Sequence, residues 1–496
     1  MNLNHPASMN RIASPGFPFL LLGCALGMID GHRSSLGAAP PGTTAGTTAV
    51  ATSAGAPVPA WWRAGAASVI ITPDKPMWMA GYAGRTNASQ GKATELFAKA
   101  LVLEDEASNR VVLVTLDLIS VPRSLKNAVL GGLGGESGVT RENLLMNASH
   151  THSGPEFRME KGPQDWAMFG KEGLKGTKSA DDYGRELKGK VVEVIHRALT
   201  NRAPSRISYQ HARCSFAMNR RTPVGTNYQN FPNPEGPVDP DVPVLKVEGP
   251  DGRLRAVLFG YACHNTTLPL YQICGDYAGY AQLDLEKAHP GIVALFMQGC
   301  GGDQNPYPRG TYELAAAHGR TLATAVEAAL QTRALPLSAP LRLAYGEVDI
   351  DYAPPPTREE CEAQLQSTDR FVALHAQRML ERMKDHDGRL PQRYPFPAQV
   401  IRFGRELTFV GLAGETCVDY SLRLKRELGG EGAVWVAGYC NDVMAYIPSA
   451  RLLAEGGYEP HSSMTYSEIH PGPWAPTLEE KIHGLVRQLR QRVTAP

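Results

Sequence analysis

The stretch VVLVTLDL, residues 111–118, is an uninterrupted apolar run rich in β-branched residues. Such a run is typical of a strand that is buried on both faces of a sheet. Five further runs of similar character are predicted as strands: residues 144–148, 256–263, 292–298, 403–412 and 433–438. The chain therefore contains the strands of a large, covered sheet.

Helical periodicity fills much of the sequence between these strands. Helices are predicted at residues 181–200, 277–289, 312–331, 357–387 and 478–492. Strands that alternate with helices bury their apolar faces against each other in layers. The predicted fold class is α/β, with mixed β-sheets flanked by helices.

The charge balance argues against a nucleic-acid partner. The 496 residues include 50 Lys and Arg and 49 Asp and Glu, which leaves a formal net charge of +1. A chain without an excess of positive charge has no general attraction for a phosphate backbone. We therefore predict no nucleic-acid partner, and no obligate protein partner is evident from the sequence.

The N-terminal residues are predicted to direct export. Residues 1–33 form a signal segment, in which Arg11 precedes an apolar run at 17–29 that is too short to span a bilayer. Cys24, in LLGC, loosely resembles the acylated cysteine of a lipoprotein, and plain secretion is the alternative. Residues 34–59 are rich in Ala, Gly, Thr and Pro and are predicted as a flexible linker. The protein is expected to be secreted, periplasmic or lipid-anchored to the cell envelope.

The cysteines do not indicate a structural zinc ribbon or a redox motif. The chain has eight cysteines, and no two of them form a CxxC pair. A disulfide such as Cys263 with Cys274 is open to an exported protein, but the spacing does not determine the pairing.

Two histidine patterns suggest metal ligands. His150 and His152 lie in SHTHSGP, directly after the predicted strand at 144–148. On an extended backbone, residues i and i+2 share a face, so both imidazoles would project together as nitrogen ligands suited to zinc. His264 ends the run LFGYACH, at a strand end where loops converge on ligands. The alternatives are ordinary surface or core histidines, and a hydrogen-bonded structural role for His264.

Glu415, in GLAGET, is a candidate ligand because it follows an apolar run. A carboxylate in apolar surroundings is costly to bury unless a cation compensates it, and zinc would do so. A helix cap, or a salt bridge to Arg423 or Lys425, is the alternative.

Three further polar residues carry weaker signals. Tyr446 and Tyr458 follow the predicted strand at 433–438, where most tyrosines pack their rings and satisfy one hydroxyl. Arg220, in FAMNRR, has the fixed fork of donors that stabilises an oxyanion, although a surface salt bridge is the usual fate of an arginine.

Taken in order, the motifs resemble those of the neutral/alkaline non-lysosomal ceramidases. The resemblance covers roughly residues 60–490. It rests on AGYAGRT at 80, SHTHSGP at 149, MNRR at 218, YACHNTT at 261, GDYAGYAQ at 275, GGDQNP at 301, AGET at 413 and AGYCNDVMAY at 437. We expect residues 60–496 to form a single ceramidase-like catalytic domain, without the C-terminal immunoglobulin-like domain of that family.

The resemblance implies one zinc ion per chain and assigns its ligands. The implied ligands are His150, His264, Glu415 and Tyr446. It places His152 and Arg220 against the substrate amide, with His152 as proton donor to the leaving amine, and it makes Tyr458 a substrate contact. A zinc held in this way activates water and polarises the scissile carbonyl. The implied function is zinc-dependent hydrolysis of the N-acyl amide of ceramide or a related N-acyl lipid, with contact to a membrane surface.

Two departures from the family leave the substrate open. The family has a serine in a GDVSPN-like segment, whereas residues 302–306 read GDQNP and offer no hydroxyl. Glu156 and Phe157 stand where the family usually has glycines, which reshapes the mouth of the pocket. A zinc hydrolase of another amide or ester, cell-wall or peptide-like, is therefore an alternative substrate class. The non-enzymatic alternative is an envelope binding protein that catalyses no reaction.

Overall fold

Helices cover the two outer faces of a pair of stacked β-sheets in the computed structural model of this chain, which describes residues 62–159 and 178–495. The predicted signal segment, the linker and Cys24 lie outside the described residues, so export stays a prediction. The described residues belong to one unit, 57–496.

The β-strands of the described residues pair into four sheets. In chain order they are β1 (Trp62–Ile70), β2 (Phe97–Asp105), β3 (Arg110–Leu116), β4 (Leu144–Ala148), β5 (Ala203–Arg213), β6 (Ala217–Val224), β7 (Asn227–Asn233), β8 (Asp241–Glu248), β9 (Leu254–Tyr261), β10 (Val293–Gln298), β11 (Gln304–Pro306), β12 (Leu335–Pro336), β13 (Leu341–Asp351), β14 (Arg393–Phe403), β15 (Leu407–Leu412), β16 (Glu415–Thr416), β17 (Val434–Ala437) and β18 (Tyr446–Ile447).

The α-helices are distributed along the whole described chain. In order they are α1 (Arg123–Leu133), α2 (Ala180–Thr200), α3 (Asp276–Ala288), α4 (Tyr312–Leu330), α5 (Arg358–Gln364), α6 (Arg370–Asp385), α7 (Val418–Leu428), α8 (Ala450–Glu455) and α9 (Leu478–Thr494). Among the residues described, no helix is both long and apolar enough to cross a membrane.

The largest sheet is mixed. Its strand order is β10-β9-β8-β5-β1-β2-β3-β4, and β12 pairs with β5. The β3–β4 and β9–β10 pairs are parallel, whereas the strands between them are antiparallel. The predicted fold class, α/β with mixed sheets flanked by helices, is confirmed.

A second sheet packs face to face on the first. Its order is β13-β14-β15-β17. Leu113 and Leu145 of the large sheet share one core with Phe409 and Trp435 of the second sheet. Burial of such side chains from water is the main force that holds two sheets together, at about 25 cal/mol per Å² of apolar surface.

The outer faces of both sheets are covered by helices. Helices α1 and α2 pack on β1–β4, and α3 and α4 pack on β8–β10. Helices α7 and α9 cover the second sheet. The result is a four-layer arrangement in which the strand ends at the sheet–sheet junction are surrounded by protein.

Two predicted elements were wrong in extent. Residues 403–412 do not form one strand, because β14 ends and β15 begins around a tight turn in which Gly404 has φ +50°. Residues 357–387 do not form one helix, because the side chain of Asp369 accepts a hydrogen bond from the backbone N–H of Phe371 and starts a new helix, α6.

The strand ends of the two sheets meet at one place. Single bridges join Asn147 to Cys440 and Gly299 to Ala437, so the ends of β4, β10 and β17 lie side by side. The seven cysteines of the described chain are free thiols, so Cys263 and Cys274 are not bridged. This junction positions the histidine motifs.

Candidate metal centre

His150 lies in a tight turn that follows β4. Its backbone N–H donates to the carbonyl oxygen of Leu118, and its φ of +63° is in the left-handed region. The expectation of an extended backbone at this point was wrong. His150 and His152 nevertheless meet, with 3.0 Å between their Nε2 atoms. A non-glycine residue in the left-handed region costs free energy, and such strain tends to be kept at functional sites.

His264 reaches the same point from β9. Its ring centroid lies 4.7 Å from that of His150, and the two rings are nearly perpendicular. Its backbone N–H donates to the carbonyl oxygen of Gln304, which holds the turn after β9 in place. Two histidines that are more than a hundred residues apart are therefore neighbours.

Glu415 joins these histidines from the second half of the chain. It forms the short parallel pair of β16 with β18, in which Glu415 is the partner of Tyr446. Its Oε2 atom lies 3.1 Å from Nε2 of His150 and 3.3 Å from Nε2 of His264. The alternative salt bridges are not formed, since Arg423 pairs with Glu427, Glu479 and Glu480 and Lys425 pairs with Asp239 and Asp241.

Backbone carbonyl groups determine which imidazole nitrogens are available. Nδ1 of His150 lies 2.7 Å from the carbonyl oxygen of Ile119, and Nδ1 of His264 lies 2.6 Å from that of Gly301. Because a carbonyl oxygen only accepts, both Nδ1 atoms carry a proton and both Nε2 atoms present a lone pair. This is the second-shell arrangement that orients histidine ligands.

The donor atoms fit a divalent cation. His150, His152 and His264 each offer a ring nitrogen within 4.8 Å of the others. Oε2 of Glu415 is buried and has no hydrogen-bond partner among the described residues, because the Nε2 atoms of His150 and His264 beside it present lone pairs and not N–H donors. Ligands on a tetrahedral zinc with bonds of about 2.0–2.1 Å are about 3.3 Å apart. The separations of 3.1 Å and 3.3 Å between Oε2 of Glu415 and Nε2 of His150 and of His264 are close to that value.

Burial keeps two of the imidazoles neutral. Removal from water is the main cause that holds the pKa of His152 well below its usual value, and the neighbouring imidazoles of His150 and His264 lower it further. Burial and then Arg220 lower the pKa of His264 to about 3. Neutral imidazole is the form that binds a metal.

Tyr446 lies beside these histidines, and Arg220 hydrogen-bonds its hydroxyl group. The hydroxyl lies 3.3 Å from Nε2 of His264 and accepts a hydrogen bond of 3.0 Å from Nη2 of Arg220. Arg220 is only 4% exposed and does not line the cleft. Arg220 therefore contacts Tyr446 rather than the open cleft, and its influence there passes through that hydroxyl.

A cleft of about 470 Å³ opens above these residues. Its base is formed by His150, His152, Glu415 and Tyr446, and Tyr458 lies in its wall. All seven predicted site residues are thus gathered at the cleft or directly behind it. The walls carry many aromatic rings: Tyr82, Phe157, Tyr271, Tyr458 and Tyr466.

Sequence reasoning did not single out the loop that covers His152. The ring of Tyr82 lies 5.0 Å from the ring of His152, and Arg85 donates to the carbonyl oxygens of Ala80, His152 and Leu270. Both residues belong to AGYAGRT, which contributed to the resemblance without being assigned a role. The signal was the glycine-rich motif itself, whose backbone packs on the histidine.

Asp303, in the segment without the family serine, has a structural role. Its carboxylate accepts hydrogen bonds from the backbone N–H of Val418 and from the side chain of Asn219. Burial raises its pKa to about 6. The residue ties the start of α7 to β6 behind the centre.

Known proteins share this sequence pattern and this fold. Neutral ceramidase A of Dictyostelium discoideum is 29% identical over 251 residues, which are 47% of this chain and 34% of that protein. The neutral ceramidase of Mycobacterium tuberculosis is 23% identical over 463 residues, 78% of this chain and 71% of that protein. The chain matches about a third of the length of the Dictyostelium relatives.

The structural comparison agrees in fold. The crystal structure of neutral ceramidase from Pseudomonas aeruginosa superposes with a TM-score of 0.67 at 21% identity, covering 88% of this chain and 75% of that one. The family model for neutral/alkaline non-lysosomal ceramidase, N-terminal, matches residues 63–324. Because that match covers more than half of the sequence, the chain belongs to the neutral/alkaline non-lysosomal ceramidase family.

Proposed function

We propose that this chain is a zinc-dependent amidohydrolase that cleaves the N-acyl amide of ceramide or a related N-acyl lipid. The observation that carries the proposal is the meeting of His150, His264, Glu415 and Tyr446 in one group beside a cleft, which all of them except His264 line. Membership of the ceramidase family supports amide hydrolysis as the reaction.

The nitrogen and oxygen donors described above would hold the zinc. His150 and His264 would each contribute Nε2, and Glu415 would contribute Oε2, which lies 3.1 Å and 3.3 Å from those two nitrogen atoms. When bound, zinc supplies a Lewis acid that polarises the amide carbonyl and lowers the pKa of water. The carboxylate also offsets part of the cation's charge in a buried place.

Tyr446 is suited to stabilise the negative charge that develops on the carbonyl oxygen. Its hydroxyl accepts a hydrogen bond from Arg220, and its own proton would be available for donation into the cleft once Nε2 of His264 holds a cation. The Arg220 charge strengthens that donation because it favours electron density on the phenol oxygen. A preorganised donor of this kind contributes about 3 kcal/mol in comparable sites.

His152 is the proton carrier in this proposal. Because its imidazole is neutral, it accepts a proton from the attacking water as the C–O bond forms. It then gives that proton to the amide nitrogen as the C–N bond breaks. The products are a carboxylic acid and a free amine.

Metal analysis and a matched pair of variants test the proposal. Purified protein is expected to bind about one zinc per chain, and a chelator should abolish hydrolysis of a short-chain fluorescent ceramide. His150→Ala should lose both zinc and activity, because it removes a ligand. His196→Ala is the control, since His196 is an exposed residue on α2 and should behave like the wild type.

Two results would contradict the proposal in different ways. A chain that binds no zinc while it still hydrolyses the substrate would reject the metal centre. A zinc-loaded chain that fails on every N-acyl lipid in a panel would reject the lipid substrate.

A second substrate class is favoured by one observation. Glu156 and Phe157 both line the cleft, so its lining carries a carboxylate and an additional ring. A more polar amide or ester, such as a peptide-like compound, suits a cleft lined by a carboxylate. Parallel assays with N-acyl amino acids and small peptides distinguish this class from N-acyl lipids.

A further inference from the structure

Tyr439 has a role at the metal centre that no motif assigned. Its backbone links the two segments that carry His150 and Glu415. Its N–H donates to the carbonyl oxygen of Gly414, and its own carbonyl oxygen accepts from the N–H of Ala148. A shift of Tyr439 would therefore move both ligand-bearing segments.

The backbone of Tyr439 is held in an unfavourable conformation. Its φ is +54°, in the left-handed region, where a bulky residue other than glycine is an outlier. Such a conformation persists only when surrounding contacts determine it, and it is concentrated at functional sites. The unfavourable φ of Tyr439 therefore occurs at the residue whose ring packs against the candidate metal centre.

The ring of Tyr439 packs on two predicted ligands. Its centroid is 4.7 Å from that of His150 and 6.2 Å from that of His264, and it is perpendicular to the second ring. Each imidazole is thus in contact with the Tyr439 ring and has a carbonyl acceptor at Nδ1. Packing of this kind limits ring rotation.

The hydroxyl of Tyr439 is buried without a partner. The residue is 0% exposed, and its oxygen makes no hydrogen bond to any described residue. Buried tyrosine hydroxyls normally find a partner, because an unpaired polar group costs free energy in the interior.

We propose that Tyr439 is a positioning residue of the metal centre, whose ring orients His150 and His264 and whose hydroxyl hydrogen-bonds a water molecule in the zinc-loaded centre. The inference rests on the proposed function, because it needs the centre to bind a cation. It accounts for a buried hydroxyl that has no hydrogen-bond partner among the described residues.

Zinc affinity tests the inference without relying on turnover. Tyr439→Phe removes only the hydroxyl and should raise the Kd for zinc by about 10- to 100-fold, as loss of a second-shell partner does. The Kd is measured by competition with a chromophoric chelator. In the metal-free protein, the urea midpoint of Tyr439→Phe should equal or exceed that of the wild type, because no protein hydrogen bond is lost. Tyr439→Leu, which also removes the ring, should weaken zinc binding further.

Tyr183→Phe is the matched control. Tyr183 is also buried, but its hydroxyl donates to the carbonyl oxygen of Ile71, and the residue does not line the cleft. This variant should lower the urea midpoint and leave the Kd for zinc unchanged. Equal Kd values for wild type and Tyr439→Phe would overturn the inference, as would a fall in midpoint like that of Tyr183→Phe. Failure of the wild type to bind zinc would instead overturn the proposed function on which the inference depends.

Discussion

Glu459 joins two buried guanidinium groups behind the candidate centre. Its Oε1 atom accepts from Nε of Arg220 at 2.8 Å, and its Oε2 atom accepts from Nη1 of Arg221 at 2.5 Å. All three residues are buried, with Glu459 only 2% exposed. Burial acts to raise the pKa of Glu459, but Arg220 and Arg221 outweigh it and hold the pKa below its usual value. The Glu459 carboxylate therefore offsets the free-energy cost of burying the two guanidinium groups.

At the residue scale we predict that Glu459→Gln is strongly destabilising. The substitution keeps the shape but leaves two buried cations with less compensation, which costs about 3–5 kcal/mol in free energy of unfolding. The measurement is urea unfolding of chelator-treated protein, so that metal binding does not contribute. Glu193→Gln, at an exposed i,i+4 pair with Arg197, should change little. Equal midpoints for both variants would show that Glu459 does not balance these charges.

At the scale of elements, the loop that contains residues 80–86 is fastened to the histidine motif. The N–H of Ala80 donates to the carbonyl oxygen of Gly154, and Arg85 donates to that of His152. Gly81 has φ +95°, and a Cβ atom at this position would lie 2.4 Å from the His152 ring. The loop thus fixes His152 by direct backbone contact, which only glycine permits.

We predict that Gly81→Ala lowers kcat while zinc is retained. The added methyl group must displace the imidazole of His152 or the loop, and a shift of about 1 Å in a catalytic group can cost about 100-fold in rate. Steady-state kinetics with zinc analysis on the same sample measures both quantities. Gly84→Ala, in the same loop, is the comparison, because a Cβ atom there meets nothing within 4 Å. A Gly81→Ala enzyme with wild-type kcat would show that the loop does not position His152.

At the scale of the whole molecule, a buried lysine links global stability to pH. Lys126 of α1 is 1% exposed, and its ammonium group donates to Oδ1 of Asn441 at 2.9 Å. Asn441 also accepts from the N–H of Met146, so this contact lies where α1, β4 and the segment after β17 meet. Burial, reinforced by Arg141, lowers the pKa of Lys126 to about 7.

The lowered pKa predicts that stability rises with pH above neutrality. In the unfolded chain Lys126 keeps its ordinary pKa of about 10.4, so from about pH 7 to about pH 10 only the unfolded state holds the proton. Raising the pH therefore favours the folded state, by at most about 1.4 kcal/mol per pH unit. Urea unfolding of wild type and Lys126→Met from pH 7 to pH 9.5 isolates this effect. Parallel pH profiles would show that Lys126 stays charged in the folded protein.

Local pattern was sufficient for the elements with continuous apolar runs. The strand predicted at 144–148 is β4, and the predicted helices at 181–200 and 312–331 agree with α2 and α4 within one residue. Antiparallel strands with more mixed patterns, such as β5 and β13, were not predicted. The two-residue strands β16 and β18 have no local signal, because only their mutual pairing makes them strands.

The sequence by itself determined which residue types are available and where strands end, so His150, His264 and Glu415 were recognisable as candidates. The tertiary structure alone decided that they meet, because the order of strands in two stacked sheets brings together segments far apart in the chain. It also decided which imidazole nitrogens can bind a metal. The carbonyl oxygens of Ile119 and Gly301 accept hydrogen bonds from the Nδ1–H groups of His150 and His264, so Nε2 of each ring is left for the centre. Those hydrogen bonds join residues whose spacing in sequence carries no periodicity, so no local pattern could reveal them.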